Sequence, residues 1–262
     1  MKGNEYILLA GYARCGQGWL GYMLAYILNA KFVEPYCLLR GILYSADKYI
    51  LNLTQGNLPG RNLTKYSTIA KTHSLPDPYI SLTNKIIIVS RDPRDVAVSA
   101  YSRNIVMKRT GSDLTTKDKE AALINTIDRY QGILEKIRNN LLSVKFISYL
   151  FTAFKWNNYY NSWDKIELCL NISYEELSNN PKHTLKKILD YLEVEVEDKI
   201  VNQAINKFTF EALSGRIKGK EDESNTSFRK GIVGDYKNNI NNLNSKIIMK
   251  LTQKPSFKRG YN

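Results

Sequence analysis

Cysteine and histidine are scarce in this chain, at three and two residues of 262. Cys15, Cys37 and Cys169 form no CxxC pair and join no Cys/His cluster, which argues against both a disulfide framework and a zinc site. An odd set of unpaired thiols fits a reducing compartment, so a cytoplasmic location is expected. Long apolar runs are also missing. The longest apolar-rich helical pattern, residues 19–30, falls short of the roughly 20 residues needed to span a bilayer and is interrupted by Tyr22, Tyr26 and Asn29. The first residues lead straight into a strand-like run, without the charged, apolar and small-residue regions of a secretory signal. Acidic residues are in short supply: Lys+Arg 38 against Asp+Glu 25 gives a formal charge of +13. Such an excess implies an anionic partner, whether a polyphosphorylated small molecule, a nucleic acid or an anionic membrane surface. What the chain does have is 43% apolar residues, 11% of the total being aromatic, enough for a substantial core.

Strand-like runs at 6–10, 67–70, 85–90 and 167–174 alternate with helix-periodic segments. That alternation predicts an α/β fold with a central parallel sheet flanked by helices, in a single domain over residues 1–262. Asp92-Pro93 and Asn180-Pro181 each offer an N-cap followed by proline, so helices are expected to start there. Residues 40–66 and 104–120 have weak periodicity and read as long connections that shape a pocket, with Tyr36, Tyr44 and Tyr49 as candidate lining. The polar stretch 214–231 reads as a mobile loop.

Another absence lies in "GYARCGQGWLGY", residues 11–22. After a strand, this segment carries the Gly-xxxx-Gly spacing of a phosphate-binding loop at Gly11 and Gly16 and leads into a helix. Gln17 and Gly18 stand where that motif places Lys and Ser/Thr, the groups that grip the β/γ-phosphates and hold Mg²⁺. ATP or GTP hydrolysis is therefore poorly served. A metal-free anion cradle remains: the backbone N–H groups of Gly16, Gln17, Gly18 and Trp19 converge at a helix start, and Arg14 can add a bidentate positive charge. A glycine-rich turn that holds nothing would share this spacing.

Three further stretches bear on that choice. "AKTHSLP" puts Lys71 and His73 just beyond a strand, and "SRDPRDVAVSAYSR" puts Arg91 at a strand end and Ser99 on the following helix. "FRKGIVGDYKN" adds a second basic, glycine-containing segment at Arg229, Lys230 and Gly231. Two anion sites suggest a ligand phosphorylated at two places. With these motifs in this order, the chain resembles the cytosolic type of sulfotransferase dependent on 3′-phosphoadenosine 5′-phosphosulfate (PAPS), from residue 6 to about residue 240. "GYARCGQGW" stands for that family's TYPKSGTTW-like loop, with Arg14 for the lysine, Cys15 for the serine and Gln17-Gly18 for the threonine pair. "KTH", "RKGIVGDYKN" and "YEEL" at 174–177 match further family motifs.

The resemblance implies a P-loop-like sulfotransferase fold and metal-free sulfuryl transfer from PAPS to a small-molecule acceptor, leaving adenosine 3′,5′-bisphosphate (PAP). It makes His73 the general base, with Lys71 and Arg14 neutralising the departing oxygen. It assigns Arg14, Cys15, Gly16, Gln17, Gly18 and Trp19 to the 5′-phosphosulfate end, and Arg91, Ser99, Arg229, Lys230 and Gly231 to the 3′-phosphate. Trp19 and Tyr174 fall to the adenine. Cys15 reads as a serine-sized structural substitute, Arg94 and Asp95 as helix-start residues, and His183 as a surface residue. Neither a nucleic acid nor a membrane is expected as partner, and the oligomeric state is open. A P-loop nucleotide kinase would need Mg²⁺, and a basic nucleic-acid binder would carry a groove-reading or stacking motif that the sequence lacks.

Overall fold

Strand β1 (Glu5–Ala10) lies at the centre of a five-stranded sheet, because Ile7, Leu8, Leu9 and Ala10 offer apolar surface to both faces and are buried on both. It pairs with β3 (Tyr66–Thr72) on one side and β4 (Lys85–Ser90) on the other. The short β2 (Lys31–Val33) flanks β3 and β5 (Cys169–Ser173) flanks β4, giving the order β2-β3-β1-β4-β5 with every pairing parallel. The expected α/β class is thus observed. The computed structural model describes residues 5–33, 65–76, 83, 85–110, 143–221 and 229–261. Cys37, Tyr36, Tyr44 and Tyr49 lie outside them.

Helix α1 (Gln17–Leu28) follows β1 and packs on β3; α2 (Pro93–Thr110) follows β4. Helix α3 (Val144–Trp163) buries Trp156, Tyr159, Tyr160 and Trp163, an i, i+3, i+4, i+7 stripe, in the core shared with β1 and β4. Its earlier turns, at Phe146, Tyr149 and Ala153, make a second cluster with Ala97 and Val98 of α2. After β5 come α4 (Tyr174–Asn179), α5 (Pro181–Leu192), α6 (Asp198–Lys207) and α7 (Phe210–Ser214). A 3-10 turn (Asp235–Asn238), α8 (Asn242–Leu251) and α9 (Gln253–Lys258) complete the order.

Several boundaries differ from the sequence reading. β3 runs two residues past Ala70, since Leu9 and Ala10 pair with Lys71 and Thr72; Lys71 is therefore inside the strand, and only His73 lies beyond it. β5 stops at Ser173 because that side chain caps the next helix, accepting from Glu176 N at 3.0 Å. α2 continues to Thr110, so 104–110 is helix rather than connection. Asp92 does cap α2, accepting from Arg94 N at 2.9 Å. Asn180 makes no side-chain cap, being also the last residue of α4's final turn, although proline starts α5 as expected. Within 214–231, the described parts are tied together by Gly219 N donating to Lys230 O at 2.7 Å.

Candidate anion-binding site

The sheet order reverses direction at β1: the chain goes to β3 on one side and β4 on the other. A crevice forms outside the carboxyl end of the strand at such a switch point. Residues 11–16 sit there. Arg14 takes a left-handed backbone conformation at φ 74, uncommon for a side-chain-bearing residue and a mark of a constrained functional turn. Gly16 adopts φ 89, and a Cβ there would meet the Tyr174 ring at 2.6 Å, so both space and backbone require glycine.

Side chains from four separate segments meet this turn. Arg14 Nε donates to Ser99 Oγ of α2 at 3.0 Å. Arg91, just past β4, donates from Nη1 to Arg14 O at 3.4 Å and from Nη2 to Ile232 O at 2.9 Å. Its guanidinium lies 4.3 Å from the centre of the Tyr174 ring. Trp19 packs against Tyr174 at 5.8 Å between ring centres and donates its indole N–H to Phe208 O at 2.6 Å. Burial, then the like charges of Arg103, Arg91 and Arg229, pull the Arg14 ionisation down to about 9. Guanidinium groups crowded to this degree create a field that an anion would relieve. Arg91 Nε and Arg229 Nε are also buried without a hydrogen-bond acceptor among the described residues.

The second basic segment is held by three carboxylates. Fully buried Asp95 accepts from Gly234 N at 2.7 Å and Tyr236 N at 2.8 Å, and its Oδ2 lies 3.6 Å from Arg91 Nη2. Asp235 pairs with Arg229 at 2.5 Å and with Lys230 at 3.4 Å, while Glu221 lies 3.6 and 3.4 Å from the same two cations. Gly231 has φ 67, and a Cβ there would run into the Phe210 ring. Asp95 therefore does more than start a helix: next to Arg91, it fixes the 3-10 turn whose Asp235 pairs with Arg229 and Lys230. Arg94 pairs with Asp92 at 2.6 Å and stacks over Tyr236 at 4.1 Å.

His73 follows β3 on the other side of the loop, exposed, with Nδ1 2.9 Å from Gly11 O. A carbonyl only accepts, so Nδ1 carries the proton and donates, which leaves the Nε2 lone pair as the basic position. Lys71 is half-buried two residues earlier. His183, in the first turn of α5, is exposed as expected.

Two loop residues are built into the fold by their side chains. Gln17 Nε2 donates to Leu9 O at 3.1 Å and Thr72 O at 2.8 Å, clamping the start of α1 to the ends of β1 and β3. Cys15 is fully buried, 3.2 Å from Tyr160 Oη, and burial pushes its thiol up to about 12. The single Tyr160 hydroxyl proton goes to Val89 O at 2.6 Å, so the Cys15 S–H and the Tyr12 N–H, at 3.3 Å, donate to Tyr160. Beneath the loop, Glu175 accepts from Asp92 N at 3.0 Å and from Tyr261 Oη at 3.0 Å. Gln17's amide, Asp95, Tyr160, Glu175 and Tyr261 were not identified as positioning groups from sequence.

The family model described as Sulfotransferase domain matches residues 4–258. Sulfotransferase 1B1 of Mus musculus is 27% identical over 251 residues, spanning 88% of this chain and 76% of that protein. The crystal structure of mouse sulfotransferase SULT7A1 complexed with PAP superposes with a TM-score of 0.58 at 18% identity, covering 96% of this chain and 84% of that one. Retinol dehydratase in complex with androsterone and inactive cofactor PAP gives 0.54 at 17% identity, covering 96% and 80%. Among the described residues no helix is long and apolar enough to cross a membrane.

Proposed function

The chain belongs to the sulfotransferase-domain family, and from that premise we propose that it moves a sulfuryl group from PAPS to a hydroxyl or amine of a small-molecule acceptor. The observation that carries this reading is the gathering of Arg14, Arg91, Arg103 and Arg229 around one buried turn, where burial and then their like charges depress the ionisation of Arg14. A donor phosphorylated at two places matches two groups of cations, one around Arg14 and the start of α1, the other at Arg91, Arg229 and Lys230. The buried Nε atoms of Arg91 and Arg229, without an acceptor among the described residues, fit a phosphate that accepts from them. The two structural neighbours in complex with PAP support the same ligand.

PAPS supplies the activated sulfur and a stable bisphosphate leaving group. In the proposed step, the acceptor oxygen or nitrogen forms a bond to sulfur while the bridging S–O bond breaks and its electron pair passes to the 5′-phosphate. His73 Nε2 takes the acceptor's proton, its tautomer set by the Nδ1–H bond to Gly11 O. Arg14 and Lys71 meet the charge gathering on the departing oxygen, and the N–H groups of Gly16, Gln17, Gly18 and Trp19 hold it from the helix end. Ser99, bonded to Arg14, completes the 3′-phosphate side with Arg91, Arg229, Lys230 and Gly231. Tyr174 and Trp19, already packed together, offer the adenine an aromatic wall.

Titration calorimetry with PAP, with ATP–Mg²⁺ and with an oligonucleotide tests the reading. PAP is expected to bind without metal and more tightly than either competitor. Tighter, Mg²⁺-dependent ATP binding, or oligonucleotide binding that collapses with salt, would replace it. A mass-detected screen of alcohols, phenols and amines with PAPS then identifies the acceptor.

A further inference from the structure

The excess positive charge is not confined to the anion crevice. From Tyr236 onward the sequence contains no Asp or Glu, yet it carries Lys237, Lys246, Lys250, Lys254, Lys258 and Arg259. The segment folds as α8 and α9 against α3, and its outward side is not purely polar. Leu243, Ile247 and Leu251 recur every four residues along α8, which places them on one face, and Leu243 is 65% exposed. Phe257 on α9 is 79% exposed. Lys246, Lys250 and Lys254 run beside this apolar row, all exposed.

A groove of about 550 Å³ links the segment to α3, lined by Asn157, Asn161, Lys250, Leu251, Lys254 and Phe257. Phe154, 51% exposed, lies one turn before Asn157 on the same stripe of α3. Helix α3 itself has no acidic residue. Asp164, just after it, is engaged by Arg259 at 2.7 Å and Lys258 at 3.4 Å. The face thus combines protruding Phe and Leu side chains, lysines and amide groups, and Asp164, at the end of α3, is already paired with Arg259 and Lys258.

We propose that this face docks the protein on the surface of an anionic phospholipid bilayer. Apolar side chains that project between lysines enter the boundary between headgroups and acyl chains, while the ammonium groups meet lipid phosphates and carboxylates. The amide-floored groove beside Lys250 and Lys254 gives a headgroup hydrogen-bond partners. A second copy of the chain fits this face poorly, since two-fold pairing would set one lysine row against the other. A nucleic acid would use the lysines and leave Leu243, Leu251 and Phe257 in water. This inference does not depend on the sulfotransferase reading, and it departs from the expectation that no membrane is a partner. The contact is peripheral and needs no spanning helix.

Vesicle flotation of the full chain tests it, with vesicles of phosphatidylcholine alone and with added phosphatidylserine. The protein is expected to float with the phosphatidylserine vesicles only, and to be released as salt rises past the physiological range. Lys250→Glu with Lys254→Glu is expected to weaken binding at least about tenfold. Phe257→Asp should do the same without changing the thermal melt or PAP affinity, because the ring is exposed and away from the crevice. Failure to float with phosphatidylserine vesicles overturns the proposal, as does equal binding to neutral vesicles. It also fails if both variants float like wild type, if an oligonucleotide competes the protein off the vesicles, or if ultracentrifugation shows a dimer that Phe257→Asp dissociates.

Discussion

Replacing Asp95 by Asn changes one oxygen to an amide nitrogen at a site where two backbone N–H groups converge. The carboxylate accepts from Gly234 N and Tyr236 N, one bond on each oxygen, and is fully buried. Asn keeps the shape but offers only one acceptor, so one N–H faces an NH₂ group and the partial charge balancing Arg91 disappears. A hydrogen bond to a charged group contributes about 1.5–3 kcal/mol, so the loss corresponds to roughly ten- to hundredfold in an equilibrium constant. The loss falls on the turn whose Asp235 pairs with Arg229 and Lys230. PAP affinity should therefore fall by that factor, whereas adenosine 5′-phosphate, which lacks the 3′-phosphate, should lose much less. Calorimetry with both nucleotides, on protein whose denaturant unfolding is measured in parallel, separates repositioning from global instability. A variant that unfolds like wild type and binds PAP within twofold would refute the positioning role and return Asp95 to a helix-start residue.

Three other outcomes follow from the same geometry. The ionisation of Arg14 is lowered to about 9 in the ligand-free protein by burial and like charges, and a bound anion raises that value, so binding takes up a proton above that pH; PAP affinity should be level at neutral pH and fall as pH rises past 9, and an unchanged affinity at pH 10 would contradict a buried Arg14 among like charges. Cys15, with its thiol held up to about 12 by burial, should resist alkylation at pH 8 in the native state and react only after denaturation, as peptide mass spectrometry will show. His73→Ala should suppress turnover by about 10²–10⁴-fold while leaving PAP affinity near wild type, because the role proposed for its ring is toward the acceptor, with Nδ1 bonded to the Gly11 carbonyl. Near-wild-type turnover with a verified acceptor would leave Lys71 and Arg14 to carry the reaction by charge alone.

The sequence makes some of this architecture readable and hides the rest for identifiable reasons. β1 and β4 are continuous apolar runs, and a central strand buried on both faces must look like that. β2, three residues long, is too short to show a period, and its place at the sheet edge is set by pairing with β3. Lys71 and Thr72 read as loop because they are polar, yet backbone pairing to β1 does not depend on side-chain polarity. Arg14, His73, Arg91, Ser99, Arg229 and Lys230 could be found because they sit in short local patterns. Asp95, Tyr160 and Tyr261 could not, since each acts on a partner far along the chain and none is unusual in type or neighbourhood. Gln17 shows most clearly what local reading misses. Beside the Lys-Ser/Thr pair of a nucleotide-hydrolysing loop it looks like a lost function, but its amide is turned inward onto the carbonyls of Leu9 and Thr72. The loop's own side chains here fasten it to the sheet, apart from Arg14, and the remaining positive charge arrives from Arg91, Arg103 and Arg229 on other segments. A site whose charge is delivered from outside its loop looks incomplete when the loop is read alone, and becomes an anion site only when the parallel sheet brings those segments to one strand end.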